Sequence, residues 1–431
     1  MFRVIVRAKR DADALRAMLS VFYTGWNIEA RTFKGKRDPD RALEILNKIC
    51  NHKKYNIILL GREDSQLQLL QSNFDENTTF HVVRKKKIRN TKLKALAKEF
   101  ELARSRIRNT VSWHGNSYVF SHKYKVITRE ANTSMDIFIG IGEGYSEIIE
   151  KLTGIKVENP LFIRVRAGIH RIYSGPNEIA TINIPDKGKV EVLSVNKGAE
   201  IYDVELNGIL HNNRKVLRLH ENIAINFLKQ FKRKYDKFIV PWSGGKDSTA
   251  CLLLALKTFG KEKVTPIYVD TGVDFPQSPE YIEKISGRLG IKFEKVYAPV
   301  KESLKEKGFP THENRWCTVL KVEALYAKVR EITEEDEQVL IVVGDRDSES
   351  RSRSLRPTTR LDQEFTIVAP IRMWNTAITQ LYILSNGIPL NPLYLQGFYR
   401  LGCYICPSLR SWEKEIMKRK GHMKLLEQLE N

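Results

Sequence analysis

The sequence predicts an α/β protein. Its C-terminal half reads as a Rossmann-like parallel-sheet domain, preceded by a small α/β or α+β domain and a β-rich, barrel-like domain. Three observations carry this. First, between Asp236 and Thr258 an apolar run (Phe238, Ile239, Val240) leads into Ser243-Gly244-Gly245-Lys246-Asp247-Ser248 and then a strongly apolar segment, Ala250 to Leu256. That is the pattern of a buried strand, a glycine turn and a helix. Second, two further apolar runs, VTPIYVD and LIVVGD, end in polar residues, as buried parallel strands do at their functional ends. Third, LFIRVRAGIHRIYSG, ATINIP, KVEVLSVN and AEIYDVELNG are short β-branched or alternating stretches between Gly, Pro and Asn.

At 431 residues the chain is expected to hold two or three domains. The composition shifts place them at 1–88, a basic helical segment 89–124, a β-rich unit 125–215, and 216–431. In the first unit FRVIVRA reads as a strand, DADALRAMLSVFYTGW as a helix opened by Asp11, NIEARTF as a second strand, DPDRALEILNKICNH as a second helix and YNIILLG as a buried strand. The next segment carries Arg84, Lys85, Lys86, Lys87, Arg89 and Lys92, and turns helical from Asn90. Ser146 to Leu152 is a short helix before the β-rich unit. Arg218 to Tyr235 is a helix leading into the glycine turn.

No apolar run approaches the ~20 residues of a membrane span, and the N-terminus becomes charged within ten residues, unlike a secretory signal. A cytoplasmic protein without membrane association is expected. Lys and Arg number 72 against 51 Asp and Glu, a formal net charge of +21, and polyanions are the usual partners of such an excess. Arg84, Lys85, Lys86, Lys87, Arg89 and Lys92, with Arg164 and Arg166 on a β-rich strand, are the candidate nucleic-acid contacts. A solvated helix face and a structural β-unit are the rival readings. Oligomeric state is not readable.

The glycine turn has the chemistry of a phosphate site. Adjacent glycines let the backbone approach an anion, the helix N-terminus contributes amides and the positive dipole end, and Lys246 adds a cation. It lacks the spacing of the common P-loop, because Val240 and Asp247 stand where that motif needs Gly and Ser or Thr. Lys246, Arg346 and Arg353 can converge on a triphosphate or phosphosulfate. Asp247 and Asp270 can hold Mg²⁺, with a ribose hydrogen bond as the rival role for Asp270.

The SGGKDS string resembles the signature of PP-loop ATP pyrophosphatases, which cleave ATP between the α and β phosphates. Asp270-Thr271-Gly272 and Phe275-Pro276 narrow the resemblance to the phosphoadenylyl sulfate (PAPS) reductase branch. So do Arg315-Trp316-Cys317-Thr318 with Lys321, Gly344-Asp345-Arg346 through Glu349-Ser350, Pro370-Ile371 with Trp374, and the run from Asn391 to Cys403-x-x-Cys406-Pro407. The match covers roughly residues 216–410. It implies a nucleotide site made by Ser243, Gly244, Gly245, Lys246, Asp247, Ser248, Asp270, Thr271, Gly272, Gly344, Arg346 and Arg353, taking ATP or, as in some members, PAPS or adenylyl sulfate. The β-rich unit is similar in pattern and length to PUA-type RNA-binding barrels.

Of five cysteines, Cys50 falls at the end of an amphipathic helix and Cys251 on the apolar helix after the glycine turn, both read as packing, while Cys317, Cys403 and Cys406 belong to the resembling segments. By the resemblance those three would lie together at the strand ends, where they could hold a 4Fe–4S cluster with one open iron. Zinc with His312 as a fourth ligand, a redox dithiol and plain buried thiols are the alternatives. Adenylyl-sulfate reductases of the branch carry a Cys-Cys pair where this chain has Cys317-Thr318, and the E-C-G-L-H tail of cluster-free PAPS reductases is absent. The three-cysteine pattern resembles PP-loop tRNA thiolation enzymes. The expected function is therefore ATP-dependent sulfur transfer to a nucleic acid such as tRNA, using a sulfur donor, with Lys246, Asp247, Cys317, Cys403 and Cys406 as the catalytic set. Reduction of PAPS or adenylyl sulfate, and nucleotide-dependent RNA binding without turnover, are the alternatives.

Overall fold

The computed structural model describes residues 1–430. The N-terminal unit is a four-stranded parallel sheet, ordered β2-β1-β3-β4, from β1 (Phe2–Val6), β2 (Ile28–Thr32), β3 (Tyr55–Leu60) and β4 (Thr78–Val82). Helices α1 (Lys9–Phe22), α2 (Pro39–Ile49) and α3 (Leu93–Arg108) cover it, with a 3₁₀ stretch at Arg62–Asn73. All six residues of β3 are buried, as its unbroken apolar run requires of a strand covered on both faces. Asp38 caps α2 by accepting a hydrogen bond from the Arg41 amide, with Pro39 in the first turn.

The β-rich stretch differs from the expected barrel. A three-stranded sheet β6-β5-β7 (β5 Val111–His114, β6 Ser117–Val119, β7 Lys125–Thr128) is separate from a five-stranded antiparallel sheet. The latter runs β12-β11-β10-β9-β8, from β8 (Asp136–Ile139), β9 (Leu161–Arg166), β10 (Ile169–Ser174), β11 (Asn177–Asn183) and β12 (Glu191–Val195). Among the described residues β8 and β12 do not pair, so the sheet is open and no PUA-like closure is formed. Helix α4 (Glu143–Thr153) interrupts it and covers one face. Strand patterns in the sequence specified short strands but carried no signal for which edges would meet.

Helices α5 (Leu206–Asn212) and α6 (Arg214–Leu228) lead into the C-terminal unit, whose six-stranded sheet is ordered β15-β14-β13-β16-β18-β17. Its strands are β13 (Lys237–Pro241), β14 (Val264–Asp270), β15 (Glu294–Tyr297), β16 (Val339–Val342), β17 (Thr359–Asp362) and β18 (Phe365–Val368), all parallel except the β17 edge. Helices α7 (Lys246–Phe259), α8 (Gln277–Leu289), α9 (Val300–Lys307) and α10 (Trp316–Glu331) alternate with the strands. The short α11 (Arg351–Leu355) follows β16. Helices α12 (Thr376–Ser385), α13 (Pro392–Leu395), α14 (Ser411–Arg419) and α15 (Lys424–Glu430) complete the chain. The strand order reverses between β13 and β16, and an open α/β sheet offers its ligand crevice at that point, beyond the strands' carboxyl ends.

The three units are not beads on linkers. One apolar cluster runs from Phe2 and Phe100 through Tyr118 and Leu161 to Trp242 and Trp374. Gly144 at the start of α4 lies so close to the end of α13 that a Cβ there would stand 2.1 Å from the Gln396 backbone. Asp347, fully buried after β16, pairs with Arg104 of α3, stands 3.7 Å from Arg108, and meets Arg372 at 2.6 Å. No helix among the described residues is long and apolar enough to cross a membrane.

Because one carboxylate offsets three buried guanidinium groups from two units, Asp347→Ala is expected to destabilise the protein by about 3–5 kcal/mol. Denaturant titration checks this, and a loss below about 1 kcal/mol, the range of an exposed pair, would show that the cluster is not the joint described.

Candidate active site

The loop after β13 is built before any ligand arrives. Gly244 takes φ +70°, the left-handed region that favours glycine, and Gly245 is the residue from which α7 starts. Lys246, Asp247 and Ser248 are therefore the first turn of the helix, whose inner face (Ala250, Cys251, Leu252, Leu254) is fully buried. The Ser243 amide donates to Ser248 Oγ at 3.3 Å, and Ser248 Oγ donates to the Gly245 carbonyl at 3.0 Å. The Lys246 amide donates to the Tyr394 hydroxyl at 3.0 Å. From the other side of the switch point Gly344 approaches so closely that a Cβ would lie 2.9 Å from the Asp247 backbone, which explains a glycine there.

This loop forms one wall of a cavity of about 400 Å³. Seven Lys and Arg side chains line it (Arg164, Lys246, Arg315, Lys321, Arg346, Arg353 and Arg400) against three carboxylates, Asp247, Asp345 and Glu349. A second, more apolar chamber of about 230 Å³ adjoins it, lined by Pro241, Trp242, Ile267, Val269, Val322 and Leu325. Ser243, Lys321, Leu401 and Gly402 border both. A cationic chamber joined to an apolar one matches an anion linked to a flat heterocycle.

Every carboxylate of the cationic chamber is already engaged. Asp247 accepts from Arg346 Nε at 2.6 Å and stands 3.2 Å from Lys246 Nζ. Asp345 meets Arg353, Arg356 and Arg360, and Glu349 pairs with Arg353 and, at 3.5 Å, with Arg400. Burial pushes the Lys246 ammonium down, and the carboxylate of Asp247 beside it works against that. Burial would raise the Asp247 carboxyl, but Arg346 and Lys246 hold it below the ordinary range. Asp270 lies outside both chambers, accepting from the Gly272 amide at 2.9 Å and pairing with Lys295 at 2.9 Å. The expected Mg²⁺ pair, Asp247 with Asp270, is therefore not brought together. The carboxylates are spent on arginine and lysine, so these residues do not form a cation cage.

Thr271 instead serves the neighbouring turn. Its amide and hydroxyl both donate to Asp274 Oδ2. Asp274 bridges to Cys403 through the backbone, and the Tyr404 amide donates to the Val273 carbonyl at 3.0 Å. The Asp270-Thr271-Gly272 turn thus anchors the Cys403-x-x-Cys406 loop at the strand ends. Cys317, at the start of α10, opens onto the same cavity as Cys403 and Cys406.

The two loop thiols are electrostatically unequal. A hydrogen bond from the Cys403 thiol holds Cys406 down at about 5; burial opposes this, and the Ser408 amide, Arg315 and Lys321 assist it. The same bond raises Cys403 well above the usual thiol range. Arg315 Nη2 stands 3.8 Å from Cys406 Sγ and Lys321 Nζ 3.9 Å from Cys403 Sγ. Among the described residues no three His, Cys, Asp or Glu side chains are grouped to hold a metal ion, and His312 lies outside the cavity. What these residues form is a pair of thiols flanked by cations, and the grouping gives no support to a cluster or zinc site with Cys317.

The remaining expected residues divide. Ser243, Gly245, Lys246, Asp247, Ser248, Gly344, Arg346 and Arg353 line the cavity, while Gly244, Thr271 and Gly272 shape its walls without facing it. Arg164, expected on a nucleic-acid surface, is buried in the cavity wall, bonded to the Ser348 carbonyl. Arg166 is exposed at the β9–β10 turn, and Arg84, Lys85, Lys86 and Lys92 are exposed on the N-terminal unit, away from the cavity lining. Three residues escaped sequence reasoning. Asp136 of β8 is fully buried, lies 3.3 Å from Arg346 Nη1, and accepts hydrogen bonds from Thr376 and Tyr399. Tyr394 and Tyr399 stand 5.4 and 5.6 Å from Lys246 Nζ, ring face toward the cation. An isolated Asp before an apolar strand gives no signal. The Asn391-to-Cys403 run could have pointed to both tyrosines.

Residues 237–409 match the family model described as the phosphoadenosine phosphosulfate reductase domain. An uncharacterized protein of Methanocaldococcus jannaschii is 33% identical over 245 residues, covering 54% of this chain and 50% of its own length. A second from that organism is 28% identical, covering 52% and 54%, so the chain spans about half the length of these curated relatives. An adenosine 5'-phosphosulfate reductase of Chelativorans is 25% identical over 38% of this chain and 66% of its own. Among solved structures, a PAPS reductase from Candida auris in a phosphate complex is 20% identical, covering 47% of this chain and 98% of that one, with a TM-score of 0.34.

The thiol pair predicts a pH signature. A depressed thiol is thiolate above its pKa and protonated below it. Alkylation of Cys406 by iodoacetamide, followed by peptide mass spectrometry, should hold steady down to about pH 6 and fall through pH 5. In Cys403→Ala the hydrogen bond is gone, and the midpoint should climb toward the ~8.5 of a free thiol. Equal midpoints in both proteins would contradict the assigned donor.

Proposed function

We propose that this protein is an adenine-nucleotide-dependent sulfurtransferase that thiolates a nucleic acid such as tRNA, with Cys406 as the sulfur carrier. The single observation that carries the reading is that Cys403 and Cys406 share the wall of a phosphate-loop cavity, with Arg315 and Lys321 beside their sulfurs. The bound nucleotide is ATP. A carbonyl oxygen of the acceptor base attacks the α-phosphorus, the bond to the β-phosphate oxygen breaks, and pyrophosphate leaves with the electron pair. Charge on the leaving group is met by Lys246, the loop amides and the cavity arginines.

Sulfur arrives as sulfane sulfur from a persulfide-bearing donor, which exchanges it onto the Cys406 thiolate and leaves as a thiol. The terminal sulfur of the Cys406 persulfide attacks the adenylated carbon and AMP departs. Cys403 then attacks the inner sulfur, and the product sulfur leaves as the thiocarbonyl with the S–S electron pair. The Cys403–Cys406 disulfide that forms holds the oxidising equivalents, and an external dithiol reductant resets it. Arg315 and Lys321 favour the thiolate forms throughout. Mg²⁺, where the nucleotide brings it, would neutralise phosphate oxygens.

The same pair supports a second reading, favoured by the low-identity reductase relatives: Cys406 attacks the sulfonate sulfur of adenylyl sulfate or PAPS, displacing the nucleotide, and Cys403 releases sulfite by forming the disulfide.

Incubation with ATP, a persulfide donor and bulk tRNA should give AMP, pyrophosphate and a thionucleoside in step, read by nucleoside mass spectrometry. Lys246→Gln should lower the rate by about 10²–10³, the cost of losing one preorganised charge donor. Cys406→Ser should retain nucleotide binding and lose the thionucleoside. Sulfite from adenylyl sulfate without tRNA, and no thionucleoside, would replace this reading with the reductase.

A further inference from the structure

Cys406 has a second exposure. On the side away from the phosphate loop it borders an apolar groove of about 690 Å³, and Cys406 and Leu409 line both spaces. Three parts of the chain build the groove: α4 with Ile148 and Leu152, the turn before β12 with Val190, and the C-terminal helices with Trp412 and Met423. Phe309, 51% exposed, stands in its wall.

Its charge is one-sided. Lys151, Lys189, Lys414, Lys418 and Arg419 rim it against the single carboxylate Glu415. Glu415 is shared by Lys151 at 3.4 Å and Arg419 at 3.2 Å. Lys189, Lys414 and Lys418 are exposed and, among the described residues, have no carboxylate within ion-pair distance. In the basic segment of the N-terminal unit Arg89 pairs with Asp11 at 3.6 Å, Lys87 with Glu63 and Arg84 with Glu99, while Lys85, Lys86 and Lys92 are exposed over no comparable apolar floor among the groove linings.

We infer that this groove is the acceptor chamber and that its occupant is an unpaired stretch of a nucleic-acid strand. A base lies against Phe309 and the apolar floor, and the flanking phosphates lie on Lys189, Lys414 and Lys418. An apolar floor with an aromatic face and a cationic rim is how single strands are held without sequence preference. The carrier thiol then stands between the strand and the nucleotide. The inference rests on the sulfurtransferase reading for its chemistry, while the docking itself does not.

The test uses the full-length protein and a fluorescein-labelled, mixed-sequence single-stranded RNA of twenty nucleotides, with anisotropy read at two salt concentrations. The triple variant Lys189→Glu, Lys414→Glu, Lys418→Glu should bind at least about tenfold more weakly with a shallower salt dependence, and should bind an ATP analogue as the parent does. RNA carrying 4-thiouridine should photocrosslink to Phe309 or to residues 404–419. Parental RNA affinity in the triple variant, crosslinks confined to residues 84–92, or binding of polyglutamate in place of RNA would each overturn the proposal. If RNA docks in the groove but Cys406 never passes sulfur to it, the chamber stands and the sulfurtransferase reading falls. If nucleotide-driven sulfur transfer proceeds on a small acceptor while RNA fails to bind, the chamber falls alone.

Discussion

The site depends on Arg346. Its guanidinium is 1% exposed and lies between Asp247 of the phosphate loop and Asp136 of the upstream β-sheet. Extended through Lys246, this is a buried chain of alternating charge crossing from the nucleotide loop into another unit. Taking such groups out of water is costly, and the arrangement persists because each charge has an opposite neighbour and its hydrogen bonds are met. Burial alone would depress Arg346, and its two carboxylates instead hold it well above even the ordinary arginine range. The loop's orientation is therefore set partly by residues a hundred positions upstream. The upstream sheet is a wall of the cavity rather than an accessory.

That constraint explains how the cationic charge is shared out. Arg346, occupied on both sides, is a positioning group, and so is the Asp247 it holds. The cations left to meet an incoming anion are Lys246 and the exposed Arg315, with Lys321 at the thiols, while Arg353 and Arg400 share Glu349 at the cavity edge. Lys321 keeps its charge although burial opposes it, because the thiols and Asp274 raise it. In return it helps keep Cys406 ionised. Nucleotide loop and sulfur loop are thus linked electrostatically, and the Thr271–Asp274 turn holds the sulfur loop at the strand ends by backbone hydrogen bonds.

Residues that act locally were legible in the sequence. The strand–turn–helix of the phosphate loop, the buried β14 and β16 and the helices of the first unit follow from apolar period and glycine placement, and they stand where those signals put them. What was not legible depends on distant pairing. Asp136 and Arg164 lie on strands whose pattern fixes their existence but not the direction in which they look across to another unit. The open five-stranded sheet differs from a barrel only in whether β8 meets β12. Asp270 has the right residue type and position beside the loop, yet Lys295 from the adjacent strand β15 claims it. A motif fixes residue identity; the partner that occupies each residue belongs to the fold.

The same distinction applies to net charge. A run such as Arg84 to Lys92 looks like an electrostatic footprint because its charges are consecutive, but field strength depends on what faces them. Asp11, Glu63 and Glu99, all buried or nearly so, sit beneath that run. Lys414 and Lys418, one turn apart on α14, and Lys189 on the facing loop are scattered in sequence and converge in space over an apolar floor. A polyanion responds to uncompensated charge within about a Debye length, roughly 8–10 Å at physiological salt. Three lysines far apart in sequence thus gather over one apolar floor that Cys406 also lines, a compact cationic surface that no run of the sequence announces.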